Sequence, residues 1–265
     1  VTSGFGRALA ANLVLYPVLI LLTLFGICAF PLFHLFCKLI LRWPKHKIAL
    51  LLIWLYGRAW MLCVQAFFPV RLLNASAEKL RSPCILIFNH LSAFDLFCMG
   101  LLPVFEVSMA VRAWPFKMFW FAPFMRMARY LEVERDAPER LVRLGREIFA
   151  DKGRILFFPE GSRSRDGKLQ RFRSGAFKLA LECGADVVPI CIFGSGGLLP
   201  PGSFWLRPRP VTLIALDRVD HREFLDPKHG ELGHIALRKL VKARMAAQLG
   251  AGPETAQAND GGAGD

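Results

Sequence analysis

From Ala8 to Cys37 the chain carries no formally charged residue, and the apolar run from Leu13 to Phe30 is longer than the core of a signal peptide. About 20 apolar residues cross a bilayer as a helix, so this stretch predicts a membrane helix. Arg7 is the only basic residue ahead of it and no small-residue cleavage site closes it, which sets it apart from a cleavable signal. Lys38, Arg42, Lys45, Lys47 and Arg58 follow, and this basic excess predicts that the rest of the chain lies on the cytoplasmic face. Residues 47–68 are again apolar, broken by Arg58 and Gln65 and carrying Trp54, Tyr56 and Trp60, aromatic types that favour a membrane interface. They predict an amphipathic helix on or in one leaflet, with a second span or a core helix of the domain as alternatives.

At Pro69 the pattern changes to short apolar runs between polar loops. Strands are predicted over Val70–Leu73, Cys84–Phe88, Val107–Val111, Tyr130–Val133, Arg154–Phe158, Val187–Ile192 and Val211–Leu216. Helices are predicted near Phe97–Leu102, Pro115–Met127, Pro138–Ala150, Gly175–Cys183 and Leu232–Leu249. Strands alternating with helices mean an α/β fold with a mostly parallel, covered sheet and flanking helices, here preceded by hydrophobic membrane-associated helices. Asp136 has the spacing of an N-cap, with Pro138 in the first turn and Glu139 at the capping-box position. The domains expected are membrane-anchoring helices over 1–68, one α/β unit over 69–249, and a disordered tail over 250–265 rich in Gly, Ala and polar residues.

Composition narrows the partners. A hydrophobic fraction of 54% with a net charge of +13 suits a domain seated on anionic lipid or handling phosphates. No zinc-ligand spacing or RNA-binding aromatic motif accompanies the charge, so nucleic acid is not expected as a partner. Seven scattered cysteines without a CxxC pair read as reduced, buried thiols rather than a disulfide framework. His34, His46, His221, His229 and His234 have no carboxylate or cysteine at metal-ligand spacing, so no metal site is indicated.

The chemistry concentrates where apolar strands end. Asn89, His90 and Asp95 follow the run Cys84–Phe88, and the five-residue separation on a turn into a helix lets the carboxylate reach the imidazole as orienter of a general base. A histidine satisfied by backbone at the strand end is the bland alternative, and Asn89 is read first as a turn former. A second loop, Phe158-Pro-Glu-Gly-Ser-Arg-Ser164, packs Glu160, Gly161, Ser162 and Arg163 after another strand. Gly161 permits close backbone approach, Arg163 can grip a phosphate bidentately, and Glu160 can accept from a substrate or pair with Arg163. The aromatic stretch from Trp114 to Phe124 suits an acyl-chain channel, a membrane interface or plain core.

Together these two loops resemble the glycerolipid acyltransferase family that acylates lysophospholipids. Val187-Val-Pro-Ile-Cys-Ile192 looks like the family's later proline-centred strand, and Phe172-Arg-Ser-Gly-Ala-Phe-Lys178 is similar to the segment after its phosphate loop, so the resemblance runs from about Val70 to Ile192. The family's remaining motif is a glycine, an apolar pair and a phosphate-binding arginine. Arg135 matches the arginine, whereas Arg129 stands at the glycine, Glu132 at an apolar position, and Ser162 where threonine is usual. The resemblance implies His90 as base, Asp95 as its orienter, and Arg135, Glu160, Gly161, Ser162 and Arg163 as substrate-binding residues. It implies an acyl thioester co-substrate, acyl-CoA or acyl carrier protein, and no cofactor. The acceptor it implies is 1-acylglycerol-3-phosphate, with glycerol 3-phosphate or an amino-lipid as alternatives. A silent module that only binds anionic membrane lipids is the rival of another class.

Overall fold

The computed structural model describes residues 2–119, 121–226 and 232–254. Its strands are β1 (Val70–Leu73), β2 (Cys84–Phe88), β3 (Val107–Val111), β4 (Leu131–Glu132), β5 (Arg154–Phe157), β6 (Asp186–Phe193) and β7 (Val211–Ala215). The helices are α1 (Thr2–Leu39), α2 (Lys45–Gln65), α3 (Ala122–Met127), α4 (Pro138–Ala150), α5 (Gly175–Cys183), α6 (Ser195–Leu198) and α7 (Gly233–Ala251), with a 3-10 segment over Ala93–Leu101. All five side chains of β2 are buried, as expected of a strand covered on both faces. It lies at the centre of one seven-stranded sheet in the order β1-β7-β6-β2-β5-β3-β4.

Cys84, Leu86 and Phe88 point into a core shared with α2 and the 3-10 segment, whereas Ile85 and Ile87 point into one shared with α5 and α7. The period of two along a strand thus feeds two cores, one per face.

Direction of travel decides where the chemistry collects. The pairs β6–β2, β2–β5, β5–β3 and β3–β4 are all parallel, so these strands end at one edge. In such sheets, ligands bind beyond the carboxyl ends of the strands. β7 turns back, running antiparallel to β6, and β1, parallel to β7, is reversed with it. Two consequences follow: β1 starts at the edge where β2 ends, bringing α2 there, and the β6–β7 connection hangs over that same edge.

The α1 helix has 38 residues, about 57 Å at 1.5 Å per residue, and Pro17 and Pro31 lie inside it. Leu13, Leu21, Phe25 and Leu32 are 63–75% exposed, and both α1 and α2 are long and apolar enough to cross a membrane. Their length and exposed apolar surface suggest association with a bilayer.

For α2 the leaflet reading needs correction on one face. Ala49, Trp60, Met61 and Val64 are buried in the core it shares with the sheet and the 3-10 segment. The interface aromatics are occupied as well: Trp54 Nε1 donates to Leu102 O at 3.0 Å, and Tyr56 hydrogen-bonds Thr23 at 2.9 Å. Where α2 meets the 3-10 segment, Gly57 faces Gly100 so closely that a Cβ on Gly100 would run into the Gly57–Arg58 backbone.

The predicted helix over Pro115–Met127 is broken into a 3-10 turn at Trp114–Lys117 and α3. At α4 the N-cap is Ala137 rather than Asp136, and no side chain caps the helix. Asp136 pairs with Arg140 at 2.9 Å instead, one turn into the helix. The expected tail begins later than 250, since α7 continues to Ala251 and residues 255–265 lie outside the described residues. His229 lies outside them too.

Candidate active site

As β2 leaves the sheet, Asn89 is held by two bonds to Ile192 of β6. Its Nδ2 donates to the carbonyl at 2.9 Å and its Oδ1 accepts from the amide at 2.6 Å. This side chain completes the β2–β6 ladder after the strand's last backbone pair and fixes where His90 emerges. The chain then turns into the 3-10 segment, capped by Ser92. Asp95, fully buried, accepts on one oxygen, Oδ2, from His90 Nδ1 at 2.9 Å, Leu91 N at 2.7 Å and Ser92 N at 2.8 Å. The carboxylate is therefore fixed by backbone before it meets the imidazole. With Nδ1 donating to Asp95, Nε2 carries the lone pair, and the ring is stacked on Phe158 at 4.2 Å between centroids.

Phe158 begins the second loop, at the end of the neighbouring strand β5. Glu160 binds the two loops together: Oε1 accepts from His90 N at 2.7 Å and Oε2 from Gln170 N at 2.7 Å. Burial raises its pKa, against the pull of these two amides. Among the described residues Glu160 makes no hydrogen bond or ion pair with Arg163, the alternative partner, and each of its oxygens accepts from a backbone amide. Gly161 has φ +73°, and a Cβ there would meet Arg173 Nε at 2.8 Å. Ser164 N donates to His90 O at 2.8 Å, closing the contact between the loops.

A cleft of about 2540 Å³ opens over this edge, and His90, Phe158, Gly161, Ser162 and Arg163 line it. Its charged lining mixes Arg112, Arg163, Arg165, Arg173 and Lys178 with Glu134, Asp136, Asp166 and Glu182. Apolar residues of α1, α2, the 3-10 segment and the aromatic stretch, among them Leu22, Ile53, Phe97, Phe121 and Met125, make up much of the rest. Charged and apolar lining thus share one cleft with the imidazole.

Residues 71–193, which carry both loops, match the Acyltransferase family model. Over that stretch the chain is similar to acyltransferases. A 1-acyl-sn-glycerol-3-phosphate acyltransferase of Limnanthes douglasii is 29% identical over 200 residues, 69% of this chain and 66% of that protein. The enzyme of that name BAT2, chloroplastic, of Brassica napus is 34% identical over 132 residues, 46% of this chain and 36% of that one. The chain thus spans 66% or less of the length of these curated relatives. The crystal structure of the 1-acyl-sn-glycerophosphate (LPA) acyltransferase PlsC from Thermotoga maritima superposes with a TM-score of 0.70, covering 91% of this chain and 95% of that one at 22% identity. The two share a fold.

Arg135 is the one expected site residue besides the buried Asp95 and Glu160 that does not line the cleft. The β4 strand is two residues long, and the turn after it sends Arg135 outward, 63% exposed and 3.4 Å from Glu132. Its neighbour Glu134 lines the cleft instead, accepting from Arg112 Nε at 2.6 Å and Ala113 N at 2.9 Å. Those bonds, the amide first, hold the Glu134 carboxyl below its usual range. Arg129 has φ +55°, a left-handed conformation that favours glycine, which accounts for the glycine of the family pattern. Its side chain pairs with Asp151 at 2.6 Å.

Arg112, directly after β3, and Arg173, within the Phe172–Lys178 segment, line the cleft beside the expected residues. Away from the cleft, His221 sits against Asp186 at 2.6 Å and Asp220 at 3.7 Å, partners that spacing along the chain did not reveal. Arg218 occupies the other oxygen of Asp186 at 2.6 Å, so the cluster reads as an ion-pair tie. Among the thiols, burial pushes Cys84 up to about 11 and Cys191 up to about 12, which leaves them inert as nucleophiles.

Proposed function

We propose that the chain transfers a fatty acyl group from an acyl thioester, acyl-CoA or acyl carrier protein, to the hydroxyl of a lysophospholipid. The acceptor we favour is 1-acylglycerol-3-phosphate, which would give phosphatidate. The observation that carries this reading is the His90–Asp95 pair, fixed at 2.9 Å in a cleft lined by several arginines and by many apolar side chains. The relatives named 1-acyl-sn-glycerol-3-phosphate acyltransferase support the choice of acceptor.

A lipid hydroxyl has a pKa far above that of any side chain, so it attacks only as a base removes its proton. His90 Nε2 takes that proton, and the oxygen adds to the thioester carbonyl. The tetrahedral intermediate then expels the thiolate, which takes the proton back from the imidazolium. One C–O bond forms and one C–S bond breaks, with no covalent acyl-enzyme. Asp95 keeps the tautomer and stabilises the imidazolium. In this reading Arg163, Arg173 and Arg112 hold the acceptor phosphate and the apolar arm holds acyl chain. The excess of basic residues after α1 puts the domain on the cytoplasmic face.

The test uses the full chain in lipid nanodiscs with acyl-CoA, lysophosphatidate and a thiol reagent, beside His90→Ala. Acceptor-dependent thiol release is expected, falling by about 10²–10⁴ in the variant. Undiminished release in His90→Ala would remove the base assignment. A panel containing glycerol 3-phosphate and amino-lipids decides the acceptor, and inactivity with every pair would favour a lipid-binding module.

A further inference from the structure

The connection between β6 and β7 has a surface that the chemistry does not use. Phe204 at its tip is 86% exposed and Trp205 beside it 41%, while Arg207 and Arg209 are exposed just beyond. The loop is nevertheless well tied. Arg207 N donates to Leu198 O at 2.8 Å, Ser203 N to Pro200 O at 3.0 Å and Trp205 N to Ser203 Oγ at 3.0 Å. Two adjacent large aromatic side chains thus face outward from an ordered loop.

Its outer tie is to α1. Buried Asn12 donates to Leu206 O at 2.8 Å and accepts from Leu206 N at 2.9 Å, and the Tyr16 hydroxyl donates to Phe204 O. Leu13, between these two anchors, is exposed on the membrane-associating helix. The inner tie is to the His90–Asp95 turn, where Ser92 Oγ donates to Leu199 O at 2.7 Å. Pro200, Pro201 and Gly202 line the cleft.

We propose that residues 199–209 form a third membrane contact, a wedge that seats Phe204 and Trp205 at the boundary between headgroups and acyl chains. Two features identify the bilayer as the occupant. The tip is continuous with the exposed apolar side of α1, and Arg207 and Arg209 sit where anionic headgroups would meet them. Through Leu199 and Ser92 the wedge sets the height of His90 above the lipid surface, so an acceptor can be acylated without leaving its leaflet. This second role rests on the proposed acyl transfer, whereas the contact itself does not.

The experiment takes the full chain in nanodiscs of phosphatidylcholine and phosphatidylglycerol, as wild type and Trp205→Phe. The difference between their emission spectra isolates Trp205. Quenching of that component by lipids brominated near the headgroup, with little quenching by aqueous iodide, is the expected result. Iodide quenching without bromolipid quenching overturns the wedge. So does protection from both that grows with protein concentration, the sign of a second copy on the tip. In a second arm, Phe204→Asp/Trp205→Asp is expected to slow acylation of a bilayer-embedded acceptor by about fivefold or more, leaving turnover of a water-soluble short-chain acceptor unchanged. Equal losses on both acceptors overturn the wedge's role in seating His90, since they mark a folding defect. If wild type acylates neither, the functional reading fails while the quenching arm still decides the contact.

Discussion

With its two carboxylate oxygens accepting from the amides of His90 and Gln170, Glu160 clamps the two loops together. Glu160→Gln keeps the shape but turns one acceptor into a donor facing an N–H. That should lower stability by about 1–3 kcal/mol, the cost of a buried unpaired donor, and reduce turnover through the displaced His90 backbone. Urea unfolding beside the thiol assay checks both, and unchanged stability would show that the clamp is dispensable. In the cleft, Arg163→Ala is expected to raise the KM for a phosphate-bearing acceptor about tenfold or more, from loss of a charge-assisted contact. Arg135→Ala should change it by less than about threefold, because Arg135 is exposed and paired with Glu132. The reverse order of effects would return Arg135 to the site. Sequence showed which residue types gather at the strand ends, and the His90–Asp95 contact was legible there because five residues on one turn constrain it. The Glu160 partners were hidden because they are backbone amides, which every residue has.

Among the elements, α2 and the 3-10 segment touch backbone to backbone at Gly57 and Gly100. A methyl group at Gly100 has nowhere to go but into the Gly57–Arg58 main chain. Gly100→Ala should therefore destabilise the fold by about 1–3 kcal/mol, as overpacking does, and loosen the seat of the Asp95 turn. A thermal melt showing no change would mean that α2 can slide. Strand positions were readable because short branched runs between polar loops have few alternatives, and the bounds of α4 and α5 are those predicted. The double nature of α2 was not readable. A face rich in Trp, Ile and Leu looks the same to lipid as to a sheet, and only the position of β1 reveals that Trp60 is core. The wedge escaped for another reason, since a loop of prolines, glycine and aromatics has no period.

Across the whole molecule, Asp186 at the start of β6 gathers Arg218 and His221 from beyond β7. Burial would raise its pKa, but the hydrogen bonds from His221 and Arg218 outweigh that and hold it below 3.8. A depressed carboxylate adds stability that is complete above its unfolded value and disappears as pH falls through the folded one. Asp186→Asn should thus be less stable than wild type at neutral pH, with the gap closing as pH drops below about 3.8. Urea midpoints across that range measure it, and a gap that persists in acid would assign the effect to packing.

The reversed strand β7 also governs the order of assembly. The edge strand β1 has β7 as its neighbour in the sheet, with Val70 opposite Val211. As the chain is synthesised, α1 and α2 can engage lipid early, but the strand leading out of α2 has no partner until Val211–Ala215 has been made. The first strand out of the membrane is thus among the last to be paired, and the sheet stays open along that edge through most of translation.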